Sequence, residues 1–97
     1  IVMIDAHHVG GIDAWKRAAD IAAGAFRPVV THLSPEIAVH LAAGINGVKT
    51  VEFMPWSFGL WEEPMDINAE GELIVPQEPG LGVKLNEDVV KAHLINE

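Results

Sequence analysis

The stretch Pro28-Val-Val-Thr-His-Leu-Ser-Pro-Glu36 joins a short apolar segment to the start of a helix. Residues 28–31 are apolar and short enough for a buried strand. Ser34 is a typical helix N-cap, which accepts a backbone N–H from the first turn, and Pro35 suits the first helical position. Glu36 then places a negative charge at the positive end of the helix dipole. The stretch therefore predicts a strand followed within a few residues by a helix.

The same strand-then-helix pattern continues on both sides of this stretch. Residues 1–4 form a continuous apolar run, as expected of a strand that is covered on both faces. Apolar residues at helical spacing predict a first helix over residues 12–25, with Gly24 near its end, and the second helix runs to about residue 43. Residues 48–53 are predicted to form a third strand. This β-α-β-α-β order with short connections is typical of a parallel sheet with right-handed crossovers.

The pattern changes after the third strand. Residues 54–61 are predicted to form an aromatic loop. Two short strands, at residues 64–67 and 72–76, are expected on either side of a turn. Asn86 is expected to cap a last short helix over residues 87–94.

The composition bounds the kind of protein. With 97 residues the chain is one domain or part of one; 49% of it is hydrophobic, with a mean hydropathy of +0.24. This apolar content excludes a disordered chain, and charged or polar residues interrupt every apolar run before it reaches the length of a transmembrane helix. The absence of cysteine excludes a disulfide scaffold and a thiolate site. It is compatible with the cytoplasm, where we expect the protein to be located.

The charge of the chain is uneven. The net charge is −8, and all of it lies in residues 51–97, which carry ten acidic and two basic residues. A protein that binds nucleic acid needs a basic face, and an anionic membrane surface attracts basic segments. The sequence has neither feature, so we expect no nucleic-acid partner and no membrane partner. A solvated surface is the favoured interpretation of the acidic half, over an acidic recognition patch.

One ionisable residue lies at the end of each predicted parallel strand: Asp5, His32 and Glu52. Sites in parallel α/β folds lie at the carboxyl ends of strands, and neighbouring strands are about 4.8 Å apart. We therefore expect Asp5 and His32 within hydrogen-bond reach, with Glu52 one strand further on. A carboxylate fixes the tautomer of an adjacent imidazole, as in a general acid/base, and a carboxyl group near other carboxylates tends to stay neutral and donate. Each residue alone is also compatible with a turn, a helix cap or a backbone carbonyl contact.

Several short motifs occur in order along the chain. They are Asp5-x-x-x-x-Gly10-Gly11-Ile12, His32-Leu-Ser-Pro-Glu-Ile37, Val51-Glu-Phe53, Glu63-Pro64 and Pro79-Gly-Leu-Gly82. Together they resemble the C-terminal part of the enolase superfamily, in its branch of mandelate racemase and muconate lactonizing enzyme. The resemblance implies an α/β fold that is the C-terminal part of a modified TIM barrel. Residues 1–61 would be its last three parallel strands with two crossover helices, and residues 62–97 a short β and loop tail that packs on the barrel and returns towards a capping domain.

The resemblance also implies an activity. Members of this kind abstract the proton α to a carboxylate, and Mg²⁺ stabilises the enediolate that forms. His32 matches their general acid/base, Asp5 its orienting partner, and Glu52 the carboxyl group that hydrogen-bonds the substrate carboxylate. The resemblance thus implies a small carboxylate substrate and an acid-sugar dehydratase or hydroxy-acid racemase reaction. In dehydratases of this branch, the same His can also protonate a departing β-hydroxyl.

Some of the family's metal-binding and catalytic residues have no counterpart in this chain. The resemblance places three magnesium-binding carboxylates and a second base, usually a lysine, on earlier strands, so we assign no metal ligand here and expect the Mg²⁺ ligands upstream. We expect a homo-oligomer or contacts with the remainder of the same polypeptide, and a chain that is incomplete for catalysis by itself. The alternative is a non-catalytic truncated fragment, or a remnant of the fold that a partner chain completes.

Other residues are weaker candidates for the site. Many relatives carry Arg where this chain has His8, so His8 is a substrate-binding candidate at the mouth of the site. Trp56 is a second substrate-binding candidate, although packing against a capping domain is the favoured role of the aromatic cluster that it begins. His7 and His8 are adjacent and so face different directions, which argues against a metal pair. His40 is expected to be structural and His93 exposed.

Overall fold

The elements of the computed structural model follow the predicted order. The structure describes residues 1–95, so residues 96 and 97 of the predicted tail lie outside it. The elements are β1 (Val2–Asp5), α1 (Ile12–Gly24), β2 (Val29–His32), α2 (Pro35–Gly44), β3 (Val48–Thr50), a 3₁₀ helix (Pro55–Leu60) and α3 (Glu87–Ala92). The chain divides into two compact units, Ile1–Met54 and a second that begins at Pro55. The boundary between barrel segment and tail after residue 61 stays a prediction.

The three strands form one parallel sheet in the order β1-β2-β3, as the β-α-β-α-β pattern predicts. β1 and β2 are in continuous register, and their last residues, Asp5 and His32, lie opposite each other. Both strands begin and end one residue later than predicted, so these two ionisable residues are the final residues of their strands. The register therefore places them side by side at the carboxyl end of the sheet.

The third strand is shorter than predicted, because it ends at Thr50 and not at residue 53. Val29 pairs with Val48, whereas the next residue of β2, Val30, pairs with Thr50. Such a shift in register marks a β-bulge or a similar irregularity, where a strand bends. Glu52 therefore lies two residues beyond the last paired residue of β3.

Helices α1 and α2 cover one face of the sheet. The buried cluster consists of Ile4, Trp15, Ala19, Ala22, Val29 and Leu41. Trp15 is fully buried, and its Nε1–H donates to the Ile4 carbonyl at 2.9 Å. Successive strand residues point to opposite faces, and Met3, on the face away from the two helices, is 55% exposed. Within residues 1–95, α1 and α2 therefore cover only one face of β1, and coverage of its other face stays a prediction.

The second helix begins differently from the prediction. Ser34 precedes α2, and Pro35 and Glu36 are in its first turn as predicted. Ser34, however, has φ 43° and ψ 62°, in the left-handed region, and its side chain does not cap the helix. An N-cap residue normally has extended dihedral angles, which bring its hydroxyl to the N–H groups of the first turn. In the left-handed conformation, Ser34 Oγ instead shares a hydrogen bond with His7 Nε2, at 2.7 Å.

The unit that begins at Pro55 differs most from the prediction. Most of the predicted aromatic loop is a 3₁₀ helix. The predicted pair of strands is reduced to one antiparallel bridge, between Ile67 and Leu73. Asn68 accounts for the difference, because its Oδ1 accepts two backbone N–H groups of the turn, including that of Glu72 at 2.8 Å. A side-chain acceptor of this kind competes with strand pairing for backbone donors.

The last predicted helix is confirmed, although it is shorter than expected. α3 ends at Ala92, and Asn86 Oδ1 caps it by accepting the Val89 N–H at 3.2 Å. Lys91 Nζ lies 3.3 Å from Glu87 Oε2, one helical turn away. Among the helices of residues 1–95, none has the length and apolar content to cross a bilayer.

Candidate active site

Asp5 and His32 form a hydrogen-bonded pair at the carboxyl ends of β1 and β2. Asp5 Oδ2 lies 2.6 Å from His32 Nδ1. The Asp5 side chain is 12% exposed and the His32 side chain is 35% exposed. The pair therefore combines a largely buried carboxylate with an imidazole that a small molecule can reach.

The other oxygen of Asp5 closes the turn that follows β1. Asp5 Oδ1 accepts the backbone N–H groups of His7, at 2.7 Å, and of His8, at 2.9 Å. The hydrogen bond from His32 and then that from the His8 N–H lower the pKa of Asp5 from 3.8 to about 2, against the opposing effect of burial. Asp5 is thus both a turn residue and the partner of His32, one oxygen for each.

The low pKa of Asp5 decides which nitrogen of His32 carries a proton. An ionised carboxylate only accepts hydrogen bonds, so His32 Nδ1–H is the donor. In the neutral ring the lone pair is then on Nε2. Nε2 lies 4.0 Å from Glu52 Oε2, which is too long for a hydrogen bond. The ring can therefore exchange a proton with a bound molecule at Nε2.

Glu52 is held beside His32 by β2 and by the residue that follows it. Glu52 Oε2 accepts the Leu33 N–H at 2.8 Å, and the Glu52 N–H donates to Thr31 Oγ1 at 3.1 Å. Thr31 is 1% exposed, which makes it a fixed anchor for the chain after β3. The structure thus brings together the three residues predicted at the strand ends.

Two residues of this cluster, His7 and Ser34, were not predicted from the sequence as functional residues. Their side chains join the loops that follow β1 and β2. At Ser34 the Ser-Pro-Glu pattern predicts a helix cap, and it gives no sign that the hydroxyl contacts another loop. His7 has no comparable signal, because its adjacency to His8 bears only on metal binding. A partner 27 residues away is set by the tertiary structure.

The remaining candidates have different surroundings. His8 is exposed and contacts Asp5 through its backbone N–H. Trp56 is 74% exposed and belongs to the second unit. His40 is half-buried within α2, and His93 is exposed, as predicted, and donates from Nδ1 to a backbone carbonyl one turn earlier, at 2.8 Å. Substrate binding by His8 and Trp56 stays a prediction.

The described residues do not fit a magnesium site. Mg²⁺ requires oxygen ligands in a near-octahedral arrangement. Across residues 1–95, no group of three or more His, Asp or Glu side chains is placed to hold a metal ion. Both oxygens of Asp5, and Oε2 of Glu52, already accept hydrogen bonds within the fold. We therefore assign no metal chemistry to the side chains of residues 1–95.

Residues 1–89 match the family described as enolase C-terminal domain-like. The chain belongs to this enolase family. It is 30% identical to D-xylonate dehydratase of Haloferax volcanii, over 98% of this chain. The structure of an enolase from alpha proteobacterium BAL199 with bound Mg is 38% identical, with a TM-score of 0.91 over 98% of this chain and 26% of that one. L-talarate dehydratase from Polaromonas sp. JS666, in complex with Mg and L-glucarate, is 36% identical, with a TM-score of 0.83 over 92% and 25% of the two chains.

This enolase-family chain spans about a quarter of the length of the proteins that it matches. Its three parallel strands and two helices correspond to the C-terminal part of the enolase barrel, as the resemblance in sequence predicts. The similar proteins include acid-sugar dehydratases, and structures among them contain Mg.

Proposed function

We propose that this chain supplies the acid/base group of an enolase-superfamily dehydratase that acts on an acid sugar. The observation that carries the proposal is the cluster of Asp5, His32 and Glu52 at the carboxyl end of the parallel sheet. The similarity to D-xylonate dehydratase and to L-talarate dehydratase supports this reaction and this substrate class. Racemisation of a hydroxy acid begins with the same proton transfer and is the second reaction that the cluster can serve.

His32 Nε2 is the atom that exchanges protons in this proposal. Its lone pair takes the proton α to the substrate carboxylate, and the C–H electron pair moves into the carboxylate to form an enediolate. The β-hydroxyl then leaves with the C–O electron pair and takes the proton back from Nε2. The products are one water and an enol acid, and the His32 ring returns to its neutral form.

Asp5 and Glu52 assist from opposite sides of the ring. Asp5 holds Nδ1–H and stabilises the imidazolium that forms during proton transfer. Glu52, when protonated, donates a hydrogen bond to the substrate carboxylate as negative charge develops on it. The 4.0 Å between His32 Nε2 and Glu52 Oε2 lets one small substrate contact both groups.

We further propose that Mg²⁺ is bound in the complete protein by residues outside this chain. Mg is present in the similar structures from alpha proteobacterium BAL199 and from Polaromonas. A bound Mg²⁺ stabilises negative charge on substrate oxygens. The proton transfers at His32 involve only residues of this chain.

The test replaces His32 by Asn in the polypeptide that carries this segment. Turnover of D-xylonate and L-talarate, and exchange of the α-proton with D₂O, should both fall by about 10²- to 10⁴-fold. The matched control is His93→Asn, which changes an exposed His of the second unit and should leave both rates unchanged. Unchanged rates in His32→Asn would exclude the proposal.

A non-catalytic chain is the second candidate. It is supported by the lack of a fitting magnesium site within residues 1–95. Light scattering of the 97-residue chain gives its solution mass. A stable monomer with an exchange-protected core would argue against a fold that another chain or a second copy completes. Magnesium-dependent dehydration by this chain alone would exclude the non-catalytic candidate.

A further inference from the structure

The loop that connects His32 to α2 contains two consecutive residues with positive φ. Leu33 has φ 52° and Ser34 has φ 43°. This left-handed conformation is unfavourable for residues with a Cβ atom, and it persists only where surrounding contacts hold it. Leu33 follows His32 directly, so a change in this loop would change the direction of the His32 side chain.

Each of the two left-handed residues makes a hydrogen bond with a distant residue, and the Ser34 carbonyl also accepts two N–H groups from the first turn of α2. The Leu33 N–H donates to Glu52 Oε2, at 2.8 Å. Ser34 Oγ shares a hydrogen bond with His7 Nε2, at 2.7 Å. The second bond reaches from the loop after β2 to the loop after β1, so it fixes the two loops relative to each other.

His7 also contacts the partner of His32. Its backbone N–H donates to Asp5 Oδ1 at 2.7 Å, while Asp5 Oδ2 accepts from His32 Nδ1. The contacts therefore form a closed circuit, which runs from Asp5 to His32, along the chain to Ser34, and back through His7 to Asp5. A closed circuit restrains the His32 ring more than the single contact with Asp5 does.

We propose that His7 and Ser34 are positioning residues for the His32 imidazole. Their hydrogen bond ties the loop after β2 to the loop after β1 and so keeps His32 Nδ1–H on the Asp5 carboxylate. Any consequence for turnover rests on the proposed function. The restraint on the ring does not, because it is a property of this fold.

The test measures the His32 ring directly, by long-range ¹H–¹⁵N NMR of the 97-residue chain. The spectra give the tautomer of His32 and the rate at which its Nδ1–H exchanges with water. The variants are Ser34→Ala, Ser34→Gly and His7→Ala, and His93→Ala is the matched control on an exposed His. Glycine adopts positive φ without strain, so Ser34→Gly removes the hydroxyl and preserves the loop conformation.

We expect Nδ1–H exchange to rise roughly five- to tenfold in Ser34→Gly and in His7→Ala, the effect of losing one hydrogen bond, with a second tautomer appearing. The control should match the unmodified chain. Unchanged exchange and tautomer in these two variants would overturn the proposal. So would a change in Ser34→Ala that is absent in Ser34→Gly, because the backbone and not the hydroxyl would then hold the ring. None of these outcomes depends on the turnover that tests the proposed function.

Discussion

Asp5 and His32 are 27 residues apart in the sequence and share a 2.6 Å hydrogen bond between Oδ2 and Nδ1. Parallel pairing sets their backbones opposite each other, so the sheet itself brings the two side chains together. Asp5 Oδ1 accepts two further hydrogen bonds from the turn after β1. The carboxylate therefore cannot rotate away from His32 without breaking the turn as well.

The first prediction concerns the titration of Asp5. Its hydrogen bonds, first that from His32, lower its pKa, so the carboxyl group should titrate with a midpoint of about 2. In a His32→Leu variant, which lacks the main donor, the midpoint should move up towards 3.8. The measurement is the ¹³C shift of the Asp5 carboxyl carbon against pH. A midpoint that is the same in both proteins would contradict the assigned cause.

The second prediction concerns stability in acid. Because the pKa of Asp5 is lower in the folded chain, its ionised form stabilises the fold at pH values above the unfolded pKa of about 3.8. This contribution is lost as the pH falls from there through about 2. In Asp5→Asn, the free energy of unfolding in urea should therefore fall less steeply over this range. Asp20→Asn, on the exposed side of α1, is the control and should keep the original steepness.

The third prediction separates the charge of Asp5 from its shape. In Asp5→Asn, the amide can donate to Nδ1, which favours the tautomer with its proton on Nε2 and removes the base. We expect kcat to fall by about 10²- to 10⁴-fold with little change in KM. The values of kcat and KM are measured on the polypeptide that carries this segment. ¹⁵N NMR of the His32 ring reports the tautomer. A normal kcat together with a switched tautomer would exclude His32 as the base.

The parallel sheet and the cluster could be predicted because both follow from local patterns. An apolar run followed by a helix start predicts a βα unit, and repeated units predict a parallel sheet whose carboxyl ends share an edge. Asp5, His32 and Glu52 follow the ends of three neighbouring strands, so they lie close together at that edge. The one-residue error in β1 and β2 does not change this, because both strands shift together.

The rest depends on contacts between distant parts of the chain. Ser34 has the sequence of a helix cap, yet its hydroxyl bonds with His7, and no local pattern predicts that choice. β3 ends early because the chain after it is held by the Thr31 hydroxyl, which accepts the Glu52 N–H. The turn after Ile67 uses a side-chain acceptor where strand pairing is predicted.

The fourth prediction concerns the core between α1 and the sheet. Trp15 is fully buried, and its indole N–H donates to the Ile4 carbonyl, next to Asp5 in β1. Trp15→Phe removes that donor, and the free energy of unfolding should decrease by about 1–3 kcal/mol. Trp56→Phe is the matched control, because Trp56 is 74% exposed and its replacement should change stability by less than about 0.5 kcal/mol. Urea unfolding of the two variants checks the difference, and equal effects would contradict it.

The fifth prediction separates the structural contact of Glu52 from its proposed contact with substrate. Glu52→Ala removes the acceptor of the Leu33 N–H, whereas Glu52→Gln keeps a carbonyl oxygen of similar reach. Amide exchange at Leu33 should therefore rise by up to about tenfold in the Ala variant and by less than about threefold in the Gln variant. The Val29 N–H, which donates to the Gly47 carbonyl, is the internal control and should not change. Equal acceleration of exchange in the Gln and Ala variants would contradict this prediction, because the charge of Glu52 would then hold the loop. A loss of turnover in Glu52→Gln could in that case come from movement of His32 as well as from the lost contact with substrate.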